Sequence, residues 1–290
     1  MSVAAVIKPP TGITIRRMRG DELAIARTWA AREGWNPGAH DMEAFQAIDP
    51  DGFWIALHDD EPAACISILA YDAAYAFLGH YIAAPDYRGR GIGWALWRTA
   101  MAACPSRAIG LDGVLDQQAN YARSGFVFRH RNVRHEGTVG PSGASPVGIA
   151  LRPIGSGDHE RIAFYDRSVF GRDRSRFLGA WLVAPGHRTM LAERGGETVG
   201  YGVARPCERG TKVGPLFARN ADVADALLRA LCDGMPAPHV LDVPEPNAPG
   251  MALAAAHGLV PAFETARMVR GPAPPDDTAR TFGVTTFEAG

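Results

Sequence analysis

Hydrophobic residues alternate with polar ones in several short segments of the chain, and longer segments between them place hydrophobic residues three and four positions apart. Alternation predicts strands and the wider spacing predicts amphipathic helices. The first half of the chain therefore predicts the order strand, helix, helix, three strands, helix, strand, helix, strand. The predicted strands of this half are GITIRRMR, GFWIALHD, EPAACISILAYD, AYAFLGHYIAA, RAIGLDGV and FVFRHRNVRHEG.

A similar order begins again after GTVGPSGASPVG, a segment rich in glycine, serine and proline that is typical of a linker. VGIALRPI resembles the first strand, and GTKVGPLFAR matches AYAFLGHYIAA. LDGVLDQQANYARSGFVFRHRNVR and LDVPEPNAPGMALAAAHGLVPAFETARMVR share the order Leu-Asp, helix, glycine and basic strand end. We therefore predict a tandem repeat: one unit over residues 1–138, a linker over 139–148, and a second unit over 149–290 that ends in a strand over 279–288.

Composition excludes several classes of protein. The chain has 290 residues and a formal net charge of −1, without the basic excess of a general nucleic-acid binder. Its four cysteines lie far apart and form no Cys-x-x-Cys pair, which favours reduced thiols, a cytoplasmic location and no metal. The sequence has no membrane-length apolar run, and MSVAAVIKPPTG lacks the long apolar core of a signal peptide. We expect no nucleic-acid, membrane or metal partner, and the oligomeric state stays open.

The segment YIAAPDYRGRGIGWALW passes from a strand to a helix through Arg88-Gly89-Arg90-Gly91-Ile92-Gly93. The first turn of a helix offers free backbone N–H groups and the positive end of the helix dipole. Glycines let that backbone approach an anion closely, and arginines add charge-assisted hydrogen bonds to phosphate. This segment therefore predicts a pyrophosphate site. It matches neither the P-loop, which needs Gly-Lys-Ser/Thr, nor the dinucleotide Gly-x-Gly-x-x-Gly pattern.

The pattern Arg-x-x-Gly-x-Gly after such a strand resembles the acyl-CoA pyrophosphate loop of the GNAT superfamily of N-acyltransferases. WNPG, LDGV…NYARSGF and the final FGVTTFEAG further resemble a bacterial subgroup with two GNAT units in one chain. The resemblance implies an α/β fold of the α+β type, in which each unit is a twisted, mostly antiparallel mixed sheet flanked by helices. It also implies an acyl-CoA-dependent N-acyltransferase, with acetyl-CoA as the default donor.

The resemblance also implies a set of acyl-CoA contacts. The fourth strand, 77–84, would splay from the fifth so that its backbone binds the pantetheine arm and polarises the acyl carbonyl. Many relatives place an asparagine where this chain has Val114, and Asn120 or Gln117 are possible substitutes. The implied cofactor-binding residues are Tyr81, Ile82, Ala83, Arg88, Gly89, Arg90, Gly91, Ile92, Gly93, Trp94 and Asn120.

The sequence identifies a candidate general acid but leaves the general base open. Tyr121 stands four residues before Gly125-Phe126, where relatives often place a tyrosine that protonates the departing thiolate. Some relatives carry a glutamate on the fourth strand, but that position here is Phe77. The base is therefore open, and an acceptor that arrives deprotonated would need no strong base. The candidates are Glu33, His40, Asp49 and His80.

We expect Trp35 and Asn36, in the WNPG turn, to contact a small-molecule amine acceptor. The second unit has no Arg-x-x-Gly-x-Gly pattern, and its matching helix opens with the capping residues Asn220 and Asp222, an acidic start that disfavours pyrophosphate. It is therefore expected to be a degenerate GNAT unit that walls the acceptor pocket. Two alternatives stay open at this point: a CoA-binding sensor without turnover, and a protein or peptide acetyltransferase.

Overall fold

The computed structural model describes residues 11–141, 143, 146–272, 275 and 277–290. The N-terminal segment for which we predict no signal peptide lies outside the described residues, except for residues 11 and 12. Residues 142, 144 and 145 of the predicted linker also lie outside them.

The first repeat folds in the predicted order of elements. Its elements are β1 (Ile13–Arg17), α1 (Leu23–Arg32), α2 (Asp41–Ile48), β2 (Phe53–His58), β3 (Glu61–Ala70), β4 (Tyr75–Ala83), α3 (Ile92–Ala102), β5 (Ala108–Val114), α4 (Gln118–Arg123) and β6 (Val127–Gly137). The second repeat follows the same order and adds a last short strand. Its elements are β7 (Ala150–Pro153), α5 (His159–Phe170), α6 (Ser175–Trp181), β8 (Arg188–Arg194), β9 (Glu197–Pro206), β10 (Thr211–Ala218), α7 (Ala221–Cys232), β11 (His239–Pro244), α8 (Ala248–Ala256), β12 (Val260–Arg270) and β13 (Thr281–Gly283).

The predicted α/β fold, a mixed sheet flanked by helices, is confirmed, and the strands of the two units join in one continuous sheet. Its order is β1-β2-β3-β4-β5-β12-β6-β11-β10-β9-β8-β7, with β13 beside β10. The units exchange their last strands: β12 of the second repeat pairs with β5, and β6 of the first repeat pairs with β11. The mostly antiparallel arrangement is confirmed, since β4–β5 and β10–β11 are the parallel pairs among the described strands.

Two buried ion pairs hold the exchanged strands. Arg267 of β12 donates two hydrogen bonds to Asp112 of β5, at 2.7 and 2.8 Å. Arg134 of β6 makes the equivalent pair with Asp242 of β11, also at 2.7 and 2.8 Å. Both carboxylates belong to the repeated Leu-Asp pair of the sequence. In each unit this aspartate therefore binds an arginine on the strand that comes from the other unit.

The two units also share a hydrophobic core between α2 and α6. Phe45 stacks on Trp181 with ring centroids 6.5 Å apart. Next to them the buried guanidinium of Arg205 lies 2.9 Å from a carboxylate oxygen of Asp41. The predicted boundary at 138–149 therefore does not separate two bodies in space, and Val139 of the predicted linker packs into the core of the second unit.

The predicted strand over 279–288 is much shorter in the structure. Only Thr281–Gly283 is a strand, and it pairs with the interior strand β10. The chain then turns, because the Thr286 hydroxyl accepts hydrogen bonds from the N–H groups of Glu288 and Ala289. The segment 284–290 is buried throughout and reaches across to the first unit.

Candidate active site

The sheet opens between β4 and β5 in the first unit. Parallel pairing runs from Tyr75–Ala108 to Leu78–Leu111 and ends there, although β4 continues to Ala83. His80 has a positive φ of 46°, and the register with β3 shifts beside it, which turns β4 away from β5. The backbone of β4 beyond Leu78 therefore lines an opening, as the resemblance to acyl-CoA-binding proteins implies.

A cavity of about 640 Å³ occupies this opening, and we call it the first-unit cavity. Its size lies within the range of small-molecule and cofactor sites. Its lining comes from β4, the glycine loop, β5, the start of α4 and the second unit. The lining residues are Glu33, Trp35, Leu78, Gly79, His80, Tyr81, Ile82, Ala83, Tyr87, Arg88, Gly89, Gly91, Gly93, Trp94, Leu111, Asp112, Gly113, Val114, Asp116, Gln117, Tyr121, Phe263, Thr265, Phe287 and Glu288.

The glycine loop borders the cavity in a conformation that requires glycine. Gly89 and Gly91 have φ values of +75° and +77°, and no atom lies within 4 Å of a Cβ placed on either. The first α-helical hydrogen bond of α3 runs from Ala95 N to Gly91 O. The preceding amides at the helix start thus belong to the first turn, whose N–H groups have no intrahelical acceptor. The open space and these amides fit an anionic group.

The two loop arginines differ in their positions. Arg88 lines the cavity, where its Nε donates to the Ala83 carbonyl and its Nη2 donates to Glu33. Arg90 lies outside the lining, with its guanidinium 5.6 Å from the centre of the Tyr87 ring. Ile92 faces the hydrophobic core beneath α3. The structure thus brings Arg88, and not Arg90 or Ile92, to the cavity.

Tyr121 reaches the cavity from α4 and packs on Trp97, with ring centroids 5.7 Å apart. Gly113 of β5 leaves the space that this ring occupies. Burial raises the pKa of the Tyr121 phenol, and it raises the pKa of the neighbouring Tyr81 to about 12. Tyr121 therefore holds its proton at neutral pH, as a general acid must before it donates.

Two of the four candidate bases lie at the cavity. Glu33 lines it but pairs with Arg88. His80 lines it with its ring packed near Phe45 and Phe53, and its Nδ1 lies 3.1 Å from the Ser67 hydroxyl. Burial lowers the pKa of His80, so its imidazole is neutral. Glu33 is thus occupied by an ion pair, and His80 is enclosed by aromatic rings.

The other two candidate bases do not line the cavity. His40 lies before the start of α2, 3.6 Å from a carboxylate oxygen of Glu43. Asp49 follows the end of α2, and its carboxylate accepts hydrogen bonds from the backbone N–H groups of Asp51 and Ala70. Asp49 therefore holds a turn together rather than facing a substrate.

Of the residues expected to bind the acceptor or pantetheine, some lie at the cavity and others do not. Trp35 lines the cavity, whereas Asn36 has a positive φ of 56° and exchanges two hydrogen bonds with the backbone of Arg209. Asn36 therefore joins the two units. Asn120 lies outside the cavity, and its side chain donates to Gln117. It borders a smaller neighbouring pocket that Tyr121 also lines.

Comparisons with known proteins agree with this geometry. Residues 21–126 match the acetyltransferase (GNAT) family, and residues 162–283 match an acetyltransferase (GNAT) domain. The chain is 30% identical over 275 residues to holothin acyltransferase of a Pseudoalteromonas species, covering 93% of this chain and 92% of the relative. The chain belongs to the GNAT family. It is a tandem GNAT acyltransferase, as the motifs predict.

Solved structures share the fold of this tandem GNAT chain. A Pyrococcus horikoshii protein assigned as an acetyltransferase superposes with a TM-score of 0.80 at 24% identity, covering 97% of this chain and 96% of that one. A tandem GNAT protein from the clavulanic acid biosynthesis pathway gives a TM-score of 0.65 at 16% identity, covering 90% of this chain and 99% of that one. At these identities, the likeness concerns the fold.

The second GNAT unit fills its equivalent opening with its own chain. Parallel pairing of β10 with β11 covers Thr211–Val213 and stops, as in the first unit. β13 then pairs with β10, and the Val284 N–H donates to the Asp242 carbonyl of β11. The start of α7 is capped by its own residue, since Asn220 Oδ1 accepts from the Val223 N–H. The strand opening and the helix start, which are both free in the first unit, are therefore both occupied by the chain itself in the second unit.

Four cavity residues come from the second GNAT unit and were not found by sequence reasoning. They are Phe263, Thr265, Phe287 and Glu288. The first two reach the cavity because β12 is exchanged into the first unit, and the last two follow the turn at Thr286. Neither the strand exchange nor the turn at Thr286 is specified by a local sequence pattern. The glutamate near the end of FGVTTFEAG, a segment that is otherwise uncharged, is a signal that could have pointed to Glu288.

No helix within the described part of the chain is long and apolar enough to cross a membrane. Among the same residues, no three histidine, cysteine or acidic side chains come together in a way that could hold a metal ion.

Proposed function

We propose that this GNAT chain transfers an acyl group from acyl-CoA, by default acetyl-CoA, directly to the amine of a small molecule. The observation that carries the proposal is the single cavity in which an open strand edge, a glycine loop and a buried tyrosine meet. Acyl-CoA is a substrate that supplies an activated thioester. The residues of the chain bind it, orient it and move protons around it.

The residues present fit acyl-CoA. The loop at Gly89 and Gly91 leaves open space that a Cβ would reduce, beside the first-turn amides of α3. Arg88 adds a positive charge at the same rim. The unpaired side of β4 beyond Leu78 can bind the pantetheine amides as an added strand would. An N–H of this strand would stabilise negative charge on the acyl oxygen.

The acceptor is expected to enter from the side of the second unit. Trp35, Phe263 and Phe287 make that wall aromatic, which suits a compact molecule with an apolar part better than an extended polypeptide. The name of the relative gives a first acceptor to try, holothin. Because the equivalent opening of the second unit is filled by β13, we propose one acyl-CoA site per chain.

We also propose a cytoplasmic setting for the reaction. The four cysteines are free thiols, and three of them are buried. Such thiols persist in a reducing compartment.

The first experiment is calorimetric titration of acetyl-CoA into the protein, beside an Arg88→Glu/Gly91→Glu variant shown to be folded. One site per chain, lost in the variant, supports the proposal. Two sites would contradict the filled second unit, and no binding would overturn the acyl-CoA site itself.

The second experiment tests turnover. Free thiol release is followed with holothin, phenethylamine and aniline as acceptors, and the acylated product is identified by mass spectrometry. Tyr121→Phe should lower kcat by about 10²–10⁴-fold and leave acetyl-CoA affinity unchanged, since only proton donation is removed. Binding without turnover on any amine would instead favour a CoA sensor.

A further inference from the structure

The segment 284–290 brings a carboxylate into the first-unit cavity. Glu288 lines this cavity and is 6% exposed. β4, which forms the facing wall, contains no acidic residue. The backbone of Glu288 packs on Gly79 of β4, where a Cβ would lie 2.9 Å from the Glu288 Cα. The second unit therefore supplies an acid to a strand that has none of its own.

The position of Glu288 is fixed by hydrogen bonds on both sides of it. The Thr286 hydroxyl accepts from the N–H groups of Glu288, at 3.2 Å, and Ala289, at 2.9 Å. The Tyr71 hydroxyl donates to the Ala289 carbonyl at 2.6 Å. A turn held at this many points directs one side chain reproducibly.

The carboxylate of Glu288 is not used in an ion pair. Three basic side chains act on it electrostatically: His80, Arg134 and Arg205. The two guanidiniums are already bound by Asp242 and Asp41, respectively. Within the described part of the chain, the Glu288 carboxylate takes part in no ion pair and no side-chain hydrogen bond. The oxygens of the Glu288 carboxylate are therefore free to accept a proton from a bound acceptor.

We propose that Glu288 is the catalytic base that takes a proton from the acceptor amine, and this assignment rests on the proposed function. The two bases suggested by the sequence that lie at the cavity are less suitable, since Glu33 is bound by Arg88 and the His80 ring is enclosed by Phe45 and Phe53. Glu288 lines the same cavity as Phe287 of the aromatic wall.

The proposed reaction conserves protons and electron pairs. Glu288 takes one proton from the acceptor ammonium and passes it to solvent. The nitrogen lone pair attacks the thioester carbonyl carbon, so that a C–N bond forms and the C–S bond breaks. The leaving sulfur keeps the bonding electrons and takes the phenolic proton of Tyr121, and the remaining extra proton of the nitrogen returns to the Tyr121 oxygen through solvent. The products are an amide, the CoA thiol and one released proton.

The test compares Glu288→Gln with the wild type in kcat, amine KM and acetyl-CoA Kd. Phenethylamine, which is cationic at neutral pH, and aniline, which is mostly neutral there, are the two acceptors. Glu288→Gln should lower kcat with phenethylamine by about 10²–10⁴-fold, leave the Kd unchanged and lower the rate with aniline much less. Glu288→Asp should restore part of the rate. Glu264→Gln is the matched control, since Glu264 lies on β12 in a surface pair with Arg131.

Variants of Thr286 test the role of Glu288 independently, in case Glu288→Gln does not fold. Thr286→Val removes the acceptor of the turn and should lower kcat without changing the acetyl-CoA Kd, and Thr286→Ser should restore it. Normal kcat in Glu288→Gln, a loss confined to KM, or equal losses with both amines would each overturn the base. Wild-type protein that acylates no amine would overturn the proposed function instead, and this assignment with it.

Discussion

Gly79→Ala tests whether the segment 284–290 is held against β4 as described. Gly79 faces the backbone of Glu288, and an added Cβ would lie 2.9 Å from its Cα, 3.0 Å from its carbonyl carbon and closer still to its oxygen. These are backbone atoms, which cannot rotate out of the way as a side chain does. The segment must move, or β4 must.

The expected cost follows from this geometry. Overpacking a close-packed region by one methyl group costs typically 1–3 kcal/mol of unfolding free energy, and rigid neighbours favour the upper part of that range. Moving a reacting group by about 1 Å can lower a rate by about 10²-fold. Gly79→Ala should therefore lose about 2–3 kcal/mol of stability and much of its turnover. Acetyl-CoA affinity should fall less than turnover, because the glycine loop, which binds the pyrophosphate in the proposed site, is unchanged.

Urea unfolding monitored by tryptophan fluorescence gives the first quantity, and the thiol-release assay gives the second. Gly157→Ala is the matched control, since no atom lies within 4 Å of its Cβ position and its φ is not in the left-handed region. A Gly79→Ala protein as stable as that control would refute the close contact. A destabilised protein with normal kcat would show that the placement of Glu288 does not matter for the reaction.

Three further predictions concern the loop, a buried pair and pH. Gly91→Ala, at φ +77°, should strain the loop by about 1–2 kcal/mol and weaken acetyl-CoA binding in calorimetry, with folding checked by circular dichroism. Arg174→Met leaves the buried Asp166 unpaired and should cost about 3–5 kcal/mol in urea unfolding, whereas Arg219→Met, in an exposed pair, should cost at most about 1 kcal/mol. Burial lowers the pKa of His187 to about 4, so unfolding takes up a proton between pH 6.5 and about 4. The free energy of unfolding should therefore fall as the pH is lowered through this range. In His187→Gln the number of protons taken up on unfolding should be smaller by up to one.

Local features of the fold could be predicted from the sequence. Asn220 caps α7, as its position predicts. This prediction succeeded because cap chemistry depends on a few adjacent residues. The glycine loop belongs to the same class, since a strand, two left-handed glycines and a helix start follow one another directly.

The strand exchange could not be predicted in this way. β6 and β12 both end in basic, alternating segments, and alternation identifies a strand without naming its partner. Arg267 pairs with Asp112 across 155 residues, and no local pattern reports such a contact. Local patterns therefore predict the order of the elements but not the exchange that joins both units in one sheet.

The same limit applies to the candidate bases. The four candidates come from the first repeat, and in the structure Asp49 lies in a turn and His40 lies at the start of a helix. The sequence predicts Glu288 at the end of a strand over 279–288, within the alternating segment TARTFGVTTFEAG. The Thr286 turn breaks that alternation, and its role depends on β4, which lies about 200 residues earlier in the chain.

The exchange of β12 has a consequence for how the protein is made. Synthesis is directional, and N-terminal domains often fold while the ribosome is still translating the rest of the chain. Here β5 gains its neighbour β12 only after about 155 further residues have been translated, and the cavity wall carrying Phe263 and the segment carrying Glu288 arrive with or after it. A chain in which β12 has not yet been made would thus have a half-covered sheet and an incomplete site. Acyl-transfer activity in a cell-free translation would therefore report chains in which both units have been made, and chaperones would have the interval before that to bind the uncovered strand.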